Sequence, residues 1–175
     1  NDKDSAKDEL KYLKSIKLRT KISTLNKNNI ARASEMTLKT NQYNLRTKRY
    51  VLADIENIIK DKNYFGLLIG LKDIYADHGN VGLIILKRIN KNTLFIDTFL
   101  MSCRVIGRYF ETQIFRYIKE YALKNNYTDI LGEFIDTKKN IVAKKLLEKH
   151  GFKKISRKTK KNSQMYSNKI KNIKL

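Results

Sequence analysis

The chain contains one cysteine, Cys103, in the run Met101-Ser102-Cys103-Arg104. A thiolate is a nucleophile that can accept an acyl group and pass it to another thiol. The apolar run before Cys103 predicts a strand, and the periodic residues after it predict a helix. Cys103 is therefore expected at a strand end, immediately before a helix start. A helix N-terminus stabilises negative charge by roughly 0.3–1 kcal/mol. Arg104 and Arg108 bring positive charge close in sequence. Both effects would favour the thiolate. Against this, free cysteine is among the most buried residue types, and a small packed side chain is the plainer reading.

Other side chains could assist. His78 has the titration range of a general acid or base, near pH ~6.5, although a turn position also suits an ordinary surface histidine. Asn41 and Gln42 lie in a polar segment between two predicted helices. Their amides could orient a hydroxyl or carbonyl of a substrate, or serve helix capping and loop packing. Asp97 and Glu133 fall on two predicted strands; either could act as a base or pair with a nearby arginine. His150 precedes Gly151 and is expected to place positive charge at a helix C-terminus.

The elements that must position these groups follow from periodicity. Residues 1–17 carry Leu10, Leu13 and Ile16 on one side of a helix and read as a linker. Residues 18–25 alternate and read as a strand. Asn28 or Asn29 caps a helix to about Thr37, and Ile55, Ile58 and Ile59 mark a second. Three strands, 64–72, 81–88 and 94–101, are separated by short turns at Asp77–Asn80 and Asn90–Asn92, which predicts an antiparallel meander. A long helix from Gly107 to Asn125, a strand over 128–135 and a helix from Lys138 to His150 follow. Gly151 takes the natural C-terminal cap position. Strands at Phe152–Ser156 and Gln164–Ser167 finish the chain. Residues 18–175 are expected to make one α/β (α+β) domain: a mixed, mostly antiparallel twisted sheet flanked by helices.

Composition bounds the partners. The 175 residues are 41% hydrophobic, enough for a core. The formal charge of +21 suits an acidic partner. Yet the charge is spread along the chain, and only Arg157, Lys158, Lys160 and Lys161 form a dense run. Abundant Lys, Asn and Ile with no Pro or Trp read as composition bias. Nucleic acid is therefore not the expected partner, whereas an acidic carrier protein is compatible with the charge. No apolar run approaches the ~20 residues that span a bilayer. No signal peptide is visible in the charged opening residues, so a cytoplasmic setting is expected. The polar start without methionine suggests that the chain begins inside a longer protein.

The element order is that of the GNAT acyltransferases, and two motifs resemble theirs. Arg104-Val105-Ile106-Gly107-Arg108-Tyr109 is similar to the GNAT pyrophosphate loop R/Q-x-x-G-x-G/A, with Tyr109 as a departure. Asn140, Ala143, Leu147, Lys149, Gly151 and Phe152 resemble the segment N-x-x-A-x-x-L-Y-x-K-x-G-F. A finer resemblance is to the C-terminal domain of FkbH-like proteins. It rests on Lys39-Thr40-Asn41-Gln42-Tyr43-Asn44-Leu45 with Thr47, Arg49 and Tyr50. It rests further on Asp97 through Arg108, and on Gly132-Glu133-Phe134 with Thr137, Lys139 and Asn140.

The resemblance implies a GNAT fold and a specific task. Such proteins join an HAD-like phosphatase domain to a GNAT-like domain and leave a glyceryl group as a thioester on the phosphopantetheine of an acyl carrier protein. No D-x-D signature follows an apolar strand here, so only the acyl-handling half is expected. Cys103, His78, Glu133 and Asn41 are then the candidate catalytic residues. Arg104, Val105, Gly107, Arg108, Tyr109 and Asn140 are candidates for binding the pantetheine or coenzyme A, and Gln42 and Asp97 for the substrate. Tyr43, Tyr50 and Tyr109 could line the pantetheine path, with aromatic packing as the plainer explanation. No metal is expected. Two alternatives remain: an N-acetyltransferase using acetyl-CoA, and a non-catalytic module that docks a carrier protein.

Overall fold

The computed structural model describes Lys11 and residues 17–105, 110–156 and 160–175. The linker reading of residues 1–17 falls almost entirely outside them. Eight strands form one sheet: β1 (Arg19–Thr24), β2 (Tyr43–Asn44), β3 (Tyr64–Lys72), β4 (Asp77–Arg88), β5 (Thr93–Met101), β6 (Asp129–Ile135), β7 (Lys153–Ile155) and β8 (Ser163–Lys169). The order is β1-β3-β4-β5-β6-β8-β7, with β2 added to β5. Among the described residues, the helices α1 (Ile30–Lys39), α2 (Leu52–Lys60), α3 (Phe110–Lys124) and α4 (Leu146–Lys149) flank it.

Alternation along the central strands divides the core in two. One set of side chains, including Ile69, Ile84, Phe99 and Met101, packs with Ile114, Phe115 and Ile118 of α3. The opposite set, including Leu68, Leu83, Ile85 and Leu100, packs with Ala33 and Met36 of α1 and Ile55 and Ile58 of α2. Each fully buried aliphatic or Phe side chain contributes about 1.5–3 kcal/mol of transfer free energy.

The antiparallel meander β3-β4-β5 is present, but its first turn lies earlier than the sequence suggested. Asp73 Oδ1 accepts the N–H groups of Tyr75 and Ala76 at 2.8 and 2.9 Å, closing an Asx-type turn. Asp77–Asn80 therefore belong to β4 rather than to a turn. Asn29 precedes α1 as expected, but its side chain accepts the Asn26 N–H at 2.8 Å instead of capping the helix.

The expected helix from Lys138 to His150 is broken into a 3-10 turn, Ile141–Ala143, and the single turn of α4. Lys138 takes φ 63, a left-handed conformation that cannot begin a right-handed helix. The helix end is as expected. Gly151 N–H reaches Glu148 O at 3.0 Å and Phe152 N–H reaches Leu147 O at 3.0 Å, the Schellman pattern, with Gly151 at φ 86.

Among the described residues, all strand pairings are antiparallel except one. β5 and β6 run parallel and pair over only Thr93–Phe95 and Asp129–Leu131. Beyond that point the chain's own segment Tyr43–Arg46 stands between them. Tyr43 and Asn44 pair with Met101 and Leu100. Leu45 N–H donates to Phe99 O at 3.1 Å, and Ile135 N–H donates to Leu45 O at 2.9 Å. Backbone groups that a parallel ladder would have paired are thereby satisfied by a third segment.

Candidate active site

A cavity of about 440 Å³ opens where α1, the segment after it and the end of β5 meet. Thr40, Asn41, Gln42 and Tyr43 line one side, and Met101, Ser102, Cys103 and Arg104 the other. Arg32, Glu35, Met36 and Lys39 of α1 complete it. Cys103 is exposed, so the packed-thiol reading does not hold. It opens a 3-10 turn, Cys103–Val105, and α3 is described only from Phe110. The helix start that the sequence suggested, at about Gly107, lies outside the described residues.

The charge of this cavity is positive. Glu35 accepts from Arg32 and Lys39, each at 2.7 Å. Those contacts hold its carboxyl at about 2. Three cations, Arg32, Lys39 and Arg104, therefore face one carboxylate that stays ionised. Arg32 is also anchored by a bond from Nη2 to Asn80 O at 3.0 Å, and Arg104 Nε donates to Ser102 Oγ at 3.3 Å. Asn41 Oδ1 accepts from Arg49 Nη2. That bond fixes which end of the amide is which and leaves the NH2 group as a donor at the cavity wall. Burial first, and the Glu111 carboxylate second, push the Tyr43 phenol well up, so it remains protonated.

The segment that carries Asn41, Gln42 and Tyr43 is held by an arginine the sequence did not point to. Arg46 Nε donates to Glu133 Oε2 at 2.9 Å, and its Nη1 donates to Asp97 O and Oδ1 at 2.9 and 3.0 Å. Asp97 and Glu133 are 3% and 1% exposed. Asp97 Oδ2 further accepts from Tyr50 at 2.6 Å and Thr98 at 3.0 Å. Burial and the Asp97 carboxylate raise the Tyr50 phenol, which keeps it a donor. Of the two roles open to Asp97 and Glu133, pairing with an arginine is the one adopted. Neither lines the Cys103 cavity.

No family model matches the chain, and no curated protein matches it in sequence. Solved structures do match its fold. A GNAT-family acetyltransferase from Staphylococcus aureus superposes with a TM-score of 0.67 at 16% identity, covering 87% of this chain and 99% of that one. The spermidine N-acetyltransferase from Vibrio cholerae, in complex with CoA and spermine, gives 0.66 at 15%, covering 87% and 96%. The ribosomal-protein-S18-alanine N-acetyltransferase from Escherichia coli gives 0.65 at 11%, covering 87% and 94%. The chain has the GNAT fold.

Within this GNAT fold the remaining candidates separate. Gly107, Arg108 and Tyr109, the centre of the GNAT-like loop motif, lie outside the described residues. Val105 is fully buried in the core and offers no side-chain surface to a ligand. Asn140 is also fully buried. Its amide donates to Asn44 O at 2.8 Å and Ile135 O at 2.9 Å, and its Oδ1 accepts from Thr137 N and Oγ1 at 3.0 Å each. It therefore latches the intervening segment to β6 and is not available to a cofactor. His78 lies in β4, bonds Asp73 Oδ2 at 2.9 Å and is absent from the Cys103 cavity. His150 is 2% exposed and stacks on Phe115 at 4.0 Å. Its Nδ1 donates to Lys174 O at 2.7 Å. Burial pushes its protonation down, which overturns its reading as a helix-end charge. Among the described residues no cluster of three or more His, Cys, Asp and Glu could hold a metal, and no helix is long and apolar enough to cross a membrane.

Proposed function

We propose that the protein is an acyltransferase in which Cys103 carries a small, glyceryl-like acyl group and delivers it as a thioester to the phosphopantetheine of an acyl carrier protein. The observation that carries this reading is the exposed Cys103 thiol in a cavity walled by Asn41 and Gln42 and ringed by Arg32, Lys39 and Arg104. The stretches of FkbH-like resemblance at Asn41–Gln42 and at Ser102–Arg104 are far apart in sequence, and they face each other across this one space.

The chemistry asked of the site is thioester exchange. The Cys103 sulfur, as thiolate, attacks the carbonyl carbon of an incoming thioester. The new C–S bond forms, the old one breaks, and the departing sulfur leaves as a thiolate that takes up a proton. Delivery to the acceptor thiol runs the same exchange in reverse. Reactants and products are of nearly equal energy, so orientation is most of what the protein must supply. The Asn41 NH2, held by Arg49, suits the thioester oxygen as charge develops on it.

The arm fits the cavity by charge. Arg32, Lys39 and Arg104 suit its phosphate and the acidic surface of a carrier protein. When bound, the arm supplies the acceptor thiol. An HAD-like phosphatase domain, in the same polypeptide or as a partner, would supply the dephosphorylated acyl group.

The test is intact-mass spectrometry after incubation with short acyl-pantetheine thioesters, acetyl-CoA included, beside Cys103→Ser. The expected result is an acyl adduct on the wild type only, discharged by a pantetheine thiol. No adduct on the wild type overturns the covalent relay. Acetyl transfer from acetyl-CoA to an amine, with no adduct, favours an N-acetyltransferase instead. Salt-sensitive carrier binding without transfer favours a docking module.

A further inference from the structure

A second cavity, of about 370 Å³, lies on the other side of the Tyr43–Arg46 segment and shares no lining residue with the Cys103 cavity. Its apolar walls include Phe95, Leu131 and Met165. Its floor is the Arg46–Asp97–Glu133 cluster. Lys48 Nζ stands 3.6 Å from Asp97 Oδ1, so among the described residues Arg46 and Lys48 face the two buried carboxylates. Lys87 and Lys160 also line the space and add further positive charge. Lys87 Nζ sits 5.3 Å from the centre of the Tyr64 ring, a contact that adds no negative charge.

Arg46 adds a directional feature. Its guanidinium lies 4.8 Å over the Phe95 ring. Nε and Nη1 are committed to Glu133 and Asp97, whereas Nη2 makes no hydrogen bond among the described residues. A guanidinium held at two of its three nitrogens leaves the third, Nη2, fixed in direction with little orientational entropy left to lose.

We propose that this cavity is a second binding site, for a compact anion, carboxylate or phosphate monoester, borne on a short apolar body. The head group would pair with Lys87 and Lys160, with the unbonded Nη2 of Arg46 behind it, and the body would lie against Phe95, Leu131 and Met165. A cationic ligand is disfavoured by these two lysines. A neutral one leaves those charges uncompensated and gains only the apolar contact. The proposal does not depend on acyl chemistry at Cys103.

Titration calorimetry with hexyl phosphate, hexanoate, hexanol and hexylamine, paired with amide NMR mapping, tests it. Binding of hexyl phosphate, hexanoate or both, with shifts centred on Phe95 and Leu131, is expected. Which of the two binds decides the head group. Affinity should fall as salt is raised, and on the order of tenfold in Lys87→Gln/Lys160→Gln. Equal binding of hexanol or hexylamine overturns the proposal, as does no binding of any probe. Shifts confined to the Cys103 cavity overturn it too. The four-probe comparison and the salt series on the wild type stand even if the double variant does not fold.

Discussion

Arg46 and Glu133 are 87 residues apart in sequence and joined by a 2.9 Å ion pair that bridges the inserted segment to β6. The same guanidinium holds Asp97 on β5. One side chain thereby ties together the two strands that its own segment separates.

Removing it takes the guanidinium away from two carboxylates that are 3% and 1% exposed. Arg46→Met is expected to lower unfolding free energy by about 3–5 kcal/mol, measured by urea denaturation. Arg46→Lys should recover only part of this, because a point charge cannot bond both carboxylates as the planar fork does.

Asn140 makes the matching latch from the other side. Asn140→Leu leaves the Asn44 and Ile135 carbonyls and the Thr137 donors without their partner. A loss of ~2–4 kcal/mol in the same assay is expected. Asn140→Asp should not rescue it, since a carboxylate keeps the acceptor but loses both donors.

Cys103 should behave oppositely. It is exposed, and among the described residues its sulfur makes no hydrogen bond. Cys103→Ser is expected to change stability by less than about 0.5 kcal/mol while abolishing the acyl adduct. A large drop in thermal midpoint would mean that loss of the adduct reflects misfolding.

His150 sets an acid-side dependence of stability. Burial lowers its folded value below the ordinary one, so the unfolded chain takes up the proton first as pH falls. Its contribution is complete above the unfolded value of about 6.5 and declines below it, until the folded form protonates as well. Glu35 and Asp73, each held at about 2, titrate far below this window. Urea midpoints at pH 7.5, 6.5 and 5.5 should therefore fall more steeply for the wild type than for His150→Asn, which keeps a donor for Lys174 O. Equal slopes would remove His150 as the source.

Local rules carried the sequence reading far. Alternation marked β1, the strands read over 64–72, 94–101 and 128–135 coincide with β3, β5 and β6, helical spacing marked α2 and α3, and Gly151 marked the end of α4. These features repeat every two or three to four residues, and their physics is complete within a short window. The order of those elements was sufficient for the GNAT fold, and the stretches around Asn41 and Cys103 held residues that do meet in one cavity.

What the sequence could not yield depends on distant partners. Arg46 lies in a polar stretch without periodicity, and its role exists only because pairing brings Asp97 and Glu133, 51 and 87 residues away, to its two sides. Asn140 looked like a ligand-binding motif residue and is a latch, because Lys138 at φ 63 breaks the helix and turns the amide onto two neighbouring carbonyls. His150 has the spacing of a helix-end cation, yet Phe115 and the chain's last turn bury it and favour its neutral form. Residue type and spacing determined which groups could do chemistry. Only the folded sheet decided which of them are exposed to a ligand and which are consumed in holding β5 and β6 apart, because burial and pairing across the sheet are properties of the assembled chain.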